Sequence, residues 1–184
     1  MQIKPIPEVD APALLQALLG SGETNKCEFK RVSGKMVSKA LETICAFANT
    51  EGGVLALGVA DLKEATGLAR LFGVEENAEA VDEFQRKLIT ELEPKLDKVD
   101  LMRLDCRLHS GVAADRPGHI LLVRVPQSQR VHSLRHGGTF ARLGCGNTQL
   151  NAEEVVQLSY RRGVRSAASE PVPVALDRLR TDAW

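Results

Sequence analysis

The chain has 184 residues, of which 43% are hydrophobic and 26% are charged, and its formal net charge is zero. This composition is typical of one globular domain, and a neutral chain gives no global reason to expect binding to nucleic acid or to a membrane. No run reaches the 18 apolar residues of a membrane span and the N-terminus lacks a signal peptide, so we expect a cytoplasmic protein with no membrane association.

The first predicted elements are a short helix and a strand. Asp10 can begin a helix that the Gly-Ser-Gly sequence at residues 20–22 ends, because glycine accepts the backbone angles of a helix exit. Residues 27–32 alternate between polar and apolar as a β-strand does. The alternation places Glu28 and Lys30 together on one face of that strand.

The next element is predicted to be an amphipathic helix. Apolar residues recur at helical spacing from Met36 to about Asn49, so one face of this helix should pack on the core. Gly52 and Gly53 then end the helix. We interpret this pair as a plain turn in preference to a phosphate-binding loop, and the sequence contains no P-loop pattern.

A buried strand is predicted after the glycine pair. The continuous apolar run at residues 54–59 is typical of a strand that is covered on both faces. Gly58 within this run suggests that another backbone or a ligand approaches closely. Asp61 is the first charged residue after the strand, a position where sheets of this kind often carry functional side chains.

The second half of the chain is predicted to contain two further helices with strands between them. The predicted ranges are a helix from Asn77 to about Leu92, strands at 99–108 and 119–126, and a helix from Ala152 to about Arg162 with Gly163 after it. Asparagine before each helix and glycine after the last one are the usual boundary signals. We assign residues 164–184, which are rich in Ala, Ser and Pro, to a C-terminal tail.

Charge is unevenly distributed along the chain. Residues 64–102 hold ten acids and five bases, whereas residues 103–151 hold seven arginines, two aspartates and all four histidines. An arginine-rich segment can form a basic face without a basic overall pI, although solvated charge on two separate faces would give the same count. We predict that phosphate-binding residues lie in this segment, namely Arg124, Arg130, Arg135 and Arg142.

Several short motifs occur in the order found in a known family. They are Glu23-x4-Glu28-Phe29-Lys30, Ala46-Phe47-Ala48-Asn49-Thr50-x-Gly52-Gly53, Gly58-Val59-x-Asp61, Thr139-Phe140-Ala141-Arg142-Leu143-Gly144, Asn147-Thr148 and Ala152-Glu153-Glu154. Together they resemble the AlbA-like domain of Schlafen proteins over about residues 12–160. The Phe-Ala-Asn-Thr-x-Gly-Gly motif is the most specific part, and the family usually has tyrosine where this chain has Phe140.

The resemblance implies an α+β fold, with a mixed β-sheet flanked by helices, and a nucleic-acid-binding role. It also implies that three acids with which some animal Schlafens cleave tRNA match Glu23, Glu28 and Asp61. Phosphodiester hydrolysis needs Mg²⁺ or Mn²⁺ held by carboxylate oxygens, and Lys30 beside Glu28 could steady the scissile phosphate. The plain alternative is that Glu28 and Lys30 form a surface ion pair and that Asp61 caps a turn.

Two functional classes therefore stay open. The first is a module that binds RNA or DNA through its arginines, for example the non-catalytic DNA-binding module of a bacterial transcriptional regulator. The second is a metal-dependent endoribonuclease that acts on structured RNA such as tRNA. Acids clustered around a metal-sized gap favour the enzyme, and scattered acids favour the binding module. Because one AlbA-like copy cannot form the two-lobed groove of the animal proteins, we also expect a symmetric homodimer.

Overall fold

The computed structural model describes residues 2–33 and 35–169, with side chains described as far as Gly163. Four α-helices and nine strands occupy these ranges. In chain order they are β1 (Ile3–Pro5), α1 (Ala11–Gly20), β2 (Cys27–Lys30), α2 (Met36–Asn49), β3 (Gly53–Leu57), α3 (Ala78–Thr90), β4 (Leu92–Glu93), β5 (Asp100–Arg107), β6 (Pro117–Val125), β7 (Ser133–Leu134), β8 (Phe140–Leu143), β9 (Gly146–Gln149) and α4 (Ala152–Ser169). Two single turns of 3₁₀-helix, Gly67–Arg70 and Val74–Glu76, lie between β3 and α3.

A five-stranded mixed sheet forms the centre of the fold, in the strand order β1-β5-β6-β3-β2. The outer pairs, β1 with β5 and β2 with β3, are parallel, whereas β6 runs antiparallel to both of its neighbours. The pairs β4–β7 and β8–β9 form two small separate ribbons. This arrangement confirms the expected α+β fold, in which a mixed sheet is flanked by helices.

Helices cover both faces of the sheet. One face packs against α2 and α3 through side chains such as Leu55 and Val123, and the opposite face packs against α1 through side chains such as Ala56 and Leu122. Successive residues of β3 therefore enter opposite cores, which explains its continuous apolar sequence. None of the helices in the described ranges is both long enough and apolar enough to cross a membrane.

The glycines around β3 are required by close backbone contacts. Gly58 has a φ of +96°, and a Cβ atom there would lie 2.6 Å from the carbonyl carbon of Gly73. The close approach predicted at Gly58 is therefore made by the chain itself. Gly52 has a φ of +79°, and a Cβ atom there would lie 2.7 Å from the carbonyl oxygen of Val125. The corner after α2 is thus a tightly packed turn, as the sequence predicts.

The final helix starts where predicted but ends later. The backbone N–H of Glu154 donates to Asn151 Oδ1 at 3.0 Å, and the N–H of Asn151 donates to Glu154 Oε2 at 2.8 Å, which is a reciprocal capping pair. The helix then continues through Gly163 to Ser169, because one glycine costs a helix only about 1 kcal/mol. The predicted tail, residues 164–184, thus begins inside α4, and its residues 170–184 lie outside the described ranges.

Candidate functional site

The three acids predicted from the sequence line a single cleft with a volume of about 620 Å³. We call it the acid cleft. Its charged lining consists of the acids Glu23, Glu28, Asp61, Glu64 and Glu76 and the cations Lys30, Arg31, Lys35 and Lys39. Acids that are distant in the sequence therefore meet at one place, beside four cationic side chains.

The pairing of β2 with β3 creates this meeting point. The two strands are parallel, with Lys30 beside Leu57, so their C-terminal ends lie at the same edge of the sheet. Asp61 follows the end of β3, and its Oδ1 accepts a 2.7 Å hydrogen bond from the next backbone N–H. Glu23 precedes β2, and its Oε1 accepts a 3.4 Å bond from the N–H of Phe29. The parallel pairing of β2 with β3 therefore brings Glu23 and Asp61 to the same cleft.

Glu28 lies at the back of the acid cleft between two cations. Its Oε1 is 2.5 Å from Lys30 Nζ, and its Oε2 is 2.5 Å from Arg142 Nη2. The pair with Lys30 is the one that the strand alternation allowed, since residues i and i+2 of a strand share a face. It differs from an ordinary surface ion pair because Glu28 itself is buried and is also bound to Arg142.

Arg142 lies in the interior and not on the predicted basic surface. The residue is only 4% exposed, and its guanidinium donates to the carbonyl oxygen of Thr24 at 2.8 Å and to Asn147 Oδ1 at 2.9 Å. The guanidinium carbon is also 5.2 Å from the centre of the Phe47 ring. The predicted direct phosphate contact is therefore wrong for Arg142, because its donors are enclosed by protein.

A second buried arginine, Arg70, was missed by the sequence analysis. It is fully buried, and it donates from Nε to the carbonyl oxygen of Ala60 at 2.8 Å and from Nη1 to that of Ser21 at 2.9 Å. Its Nη2 has no hydrogen-bond partner among the described residues. Arg70 thus ties the backbone just before Asp61 to the backbone just before Glu23. The sequence does contain a signal for its burial, because Arg70 is a single charged residue between apolar neighbours.

The acids of the cleft influence one another electrostatically. Burial raises the pKa of the Glu23 carboxyl above its ordinary value, and the nearby negative charge of Glu28 raises it further. The hydrogen bond from the N–H of Phe29 acts in the opposite direction, and Asp61 adds a smaller upward contribution. Glu23 therefore takes up a proton more easily in the folded protein than a free glutamate does.

The residues of the acid cleft do not fit a metal ion in this arrangement. Within residues 2–33 and 35–169, no group of three or more carboxylate, imidazole or thiol side chains is placed so that it could hold one. Each oxygen of Glu28 already accepts a hydrogen bond from a cation, so this carboxylate is not a free ligand for Mg²⁺ or Mn²⁺. The three carboxylates share a cleft without forming a metal centre.

The other three predicted arginines lie outside the acid cleft. We call Arg124, Arg130, Arg135 and Arg142 the arginine block. Of these, Arg124, Arg130 and Arg135 are exposed. Arg130 pairs with Asp97 at 2.6 Å, and Arg135 pairs with Glu93 at 2.7 Å, whereas Arg124 has no ion-pair partner in the described part of the chain. The block therefore combines one free, two paired and one buried guanidinium.

The Phe-Ala-Asn-Thr motif at the end of α2 has a structural role. Asn49 Nδ2 donates to the carbonyl oxygens of His132 and Phe140 at 2.7 and 2.9 Å, and Asn49 Oδ1 accepts from the N–H of His132 at 2.8 Å. Arg162 of α4 donates to the carbonyl oxygens of Asn49 and Thr50 at 2.8 and 3.1 Å. The most specific motif of the sequence thus joins α2 to α4 and to the segment before β8.

Comparison with known proteins agrees with this architecture. A family model described as Schlafen, AlbA_2 matches residues 23–151, a range that contains all the acids of the cleft. No curated protein matches the sequence. The crystal structure of the DIP2311 protein from Corynebacterium diphtheriae is similar, with a TM-score of 0.53 and 16% identity over 84% of this chain and 31% of that one. At this identity the likeness concerns the fold alone, and the chain spans about a third of that protein. Because the family model matches most of the chain, the protein belongs to the Schlafen AlbA_2 family of nucleic-acid-binding domains.

Proposed function

We propose that this domain binds nucleic acid in the acid cleft, where Lys30, Lys35 and Lys39 contact the phosphates of one strand. The observation that supports the proposal best is that these three lysines line the same cleft. Contacts from lysine and arginine to phosphates supply most of the affinity of nucleic-acid-binding proteins. A concave site with several such cations can follow a phosphate backbone, which single cations on a convex surface cannot do.

The lysines of the cleft are available to a ligand. Lys35 is exposed and has no ion-pair partner among the residues that the structure describes. Lys39 pairs with Glu42 on the same helix, and an exposed pair of this kind is worth only about 0.3–0.5 kcal/mol. Glu23 and Asp61 oppose phosphate binding through their negative charge, so neutralising either acid should strengthen it.

Two double variants test this proposal, one in the acid cleft and one in the arginine block. Lys35→Gln/Lys39→Gln should lower the affinity for a fluorescent RNA hairpin or DNA duplex about tenfold at low salt, because two phosphate contacts are lost. Each lost contact should also lower the salt dependence of binding. Fluorescence anisotropy over a salt series measures both quantities. Arg130→Gln/Arg135→Gln is the matched control, and its affinity should change less than about threefold because neither arginine lines the acid cleft and attraction between distant charges is screened by salt. A larger loss in the arginine variant would refute binding in the cleft.

Cleavage of the bound strand is the second candidate function. The observation that favours it is that Glu23, Glu28 and Asp61, the three acids implied by the family resemblance, line one cleft. We propose the activity as a metal-dependent endoribonuclease that acts on structured RNA such as tRNA. Because the three acids do not form a metal centre in the arrangement described above, this activity requires that they rearrange when Mg²⁺ or Mn²⁺ and the RNA bind. A non-catalytic DNA-binding module, in contrast, would bind duplex DNA in the same cleft and leave both DNA and RNA intact.

The two candidates differ in a simple assay. Purified protein is incubated with structured RNA and Mg²⁺ or Mn²⁺, with and without a chelator, and compared with Asp61→Asn. The endoribonuclease requires that the wild type cuts the RNA only with the metal, and that Asp61→Asn loses cleavage while it keeps or improves RNA binding. Equal cleavage by both proteins would assign the activity to a contaminant or to another site. No cleavage with either metal would leave nucleic-acid binding alone.

A further inference from the structure

We propose that Arg142 is a positioning residue for phosphate binding in the acid cleft, although it touches no phosphate itself. In this proposal Arg142 offsets the negative charge of Glu28 from the interior. The positive charge of Lys30 is then not cancelled by Glu28 and can attract a phosphate. The inference rests on the proposed function, because it assumes that Lys30 contacts the nucleic acid.

The three residues form a line from the core to the cleft. The side chains of Arg142, Glu28 and Lys30 are 1%, 8% and 20% exposed, respectively. Glu28 Oε2 lies 2.5 Å from Arg142 Nη2, and Glu28 Oε1 lies 2.5 Å from Lys30 Nζ. Lys30 is the outermost and the most exposed of the three, and it lines the cleft.

Bonds other than the one to Glu28 hold Arg142 in place. It donates to the carbonyl oxygen of Thr24 at 2.8 Å and to Asn147 Oδ1 at 2.9 Å. Asn147 in turn donates from Nδ2 to Thr43 Oγ1 of α2 at 2.8 Å. A planar guanidinium with several fixed acceptors is more rigidly placed than a flexible ammonium. Arg142 therefore presents its charge to Glu28 in one geometry.

The charge balance of this group explains its effect on Lys30. One carboxylate between two cations leaves a net charge of +1, and the exposed Lys30 carries it towards the cleft. Without Arg142 the group would be neutral, because the buried carboxylate would have Lys30 as its only cation. Lys30 would then be committed to Glu28 and would release no counterion from a phosphate.

A purely structural role for Arg142 makes a different prediction. A variant that was only less stable would contain a smaller fraction of active protein, and the binding curves of that fraction would keep the wild-type salt dependence. The slope of log affinity against log salt counts the phosphate charges that the protein neutralises. This slope separates the two roles, because destabilisation alone does not change it.

The experiment measures this salt slope by fluorescence anisotropy with a single-stranded RNA, at a temperature where circular dichroism shows each variant to be folded. Lys30→Gln and Arg142→Gln should each reduce the magnitude of the slope by about 0.7, the contribution of one phosphate of a single strand. Glu28→Gln/Arg142→Gln should restore the wild-type slope, because Lys30 then has no carboxylate to neutralise. This double variant also removes the buried carboxylate that Arg142→Gln leaves with Lys30 as its only cation, so it folds more readily than Arg142→Gln alone.

Asn147→Ala is the control for a loosened support, since it removes one acceptor from Arg142 but no charge. It should leave the slope unchanged. A wild-type slope in Lys30→Gln would refute the proposed binding by Lys30. A reduced slope in Lys30→Gln together with an unchanged slope in Arg142→Gln, or no recovery in the double variant, would refute only the role of Arg142.

Discussion

The acid cleft and the arginine block are assembled in opposite ways. Residues of the cleft come from separate segments of the chain, and they meet because β2 pairs with β3. Residues of the block are neighbours in the sequence, but the fold exposes three of them and buries Arg142. The comparison shows that strand pairing determines which charged residues meet, whereas the density of charge along the sequence does not.

Part of the uneven distribution of charge is balanced by ion pairs between the acidic and the basic segment. Arg130 and Arg135, from the basic segment, pair with Asp97 and Glu93, from the acidic segment. The two segments therefore neutralise each other where they meet. A count of charges along the chain cannot distinguish this outcome from a basic face, because it contains no information about which residues become neighbours.

The largest expected difference between the two regions concerns stability. Arg142→Met should lower the free energy of unfolding by about 3–5 kcal/mol, because it leaves the buried carboxylate of Glu28 without its interior partner. Arg135→Met should cost only about 0–1 kcal/mol, because its pair with Glu93 is exposed to solvent. Urea denaturation followed by circular dichroism measures both. Equal losses would contradict the distinction between a supporting and a surface arginine.

Arg70 should have an intermediate effect. Arg70→Met removes the hydrogen bonds to the backbone on either side of the cleft and leaves buried carbonyl groups unpaired, at about 1–3 kcal/mol. The loss should be smaller than for Arg142→Met, because Arg70 has no ion-pair partner within the described residues whose charge would be left uncompensated. The same urea experiment tests the order, and a larger loss for Arg70→Met would reverse our assignment of the two arginines.

The pH dependence of stability provides a smaller effect that is specific to the cleft. The folded protein takes up a proton at Glu23 more readily than the unfolded chain does, because the pKa of this carboxyl is raised by burial. Stability is therefore lost as pH rises from the ordinary value of 4.5 through the raised pKa. We expect Glu23→Gln to be more stable than the wild type at pH 7, and the gain should vanish as pH falls towards the ordinary value.

A control with the opposite sign lies on α3. The hydrogen bond from Lys87 lowers the pKa of Glu83, so this pair contributes stability at neutral pH that is lost as pH falls through the lowered pKa. Glu83→Gln should therefore be slightly less stable than the wild type at pH 7. Thermal denaturation of both variants across the pH range tests the prediction. A gain at pH 7 for Glu83→Gln, or a loss for Glu23→Gln, would contradict it.

Substitutions on α4, outside the acid cleft and the arginine block, should affect the stability of the folded domain least, and they test the expected homodimer. Val156 and Tyr160 are 67% and 73% exposed on this helix, and we propose that they contribute to the expected homodimer. Light scattering at tens of micromolar should give twice the chain mass of 20.0 kDa. Val156→Glu/Tyr160→Glu should give the mass of a monomer with unchanged circular dichroism. A wild-type mass near that of one chain would count against the dimer.

The sequence predicted the frame of the acid cleft better than the residues that support it. Apolar periodicity identified α2, the buried run identified β3, and alternation placed Glu28 and Lys30 on one face. These features depend on local patterns of period 3.6 or 2. The positions of Arg70 and Arg142 depend instead on tertiary contacts with carbonyl groups distant in the sequence, and no local pattern encodes those contacts.

The most direct test of binding in the acid cleft is hydrogen–deuterium exchange of the protein with and without a saturating RNA hairpin. Our account predicts that the RNA slows amide exchange in residues 23–33, 35–39 and 61–64, which include most residues lining the cleft, and leaves exchange in residues 124–136 unchanged. The Lys35→Gln/Lys39→Gln variant at the same RNA concentration should lose that protection. Protection confined to residues 124–136 would contradict the account and would return the binding surface to the exposed arginines.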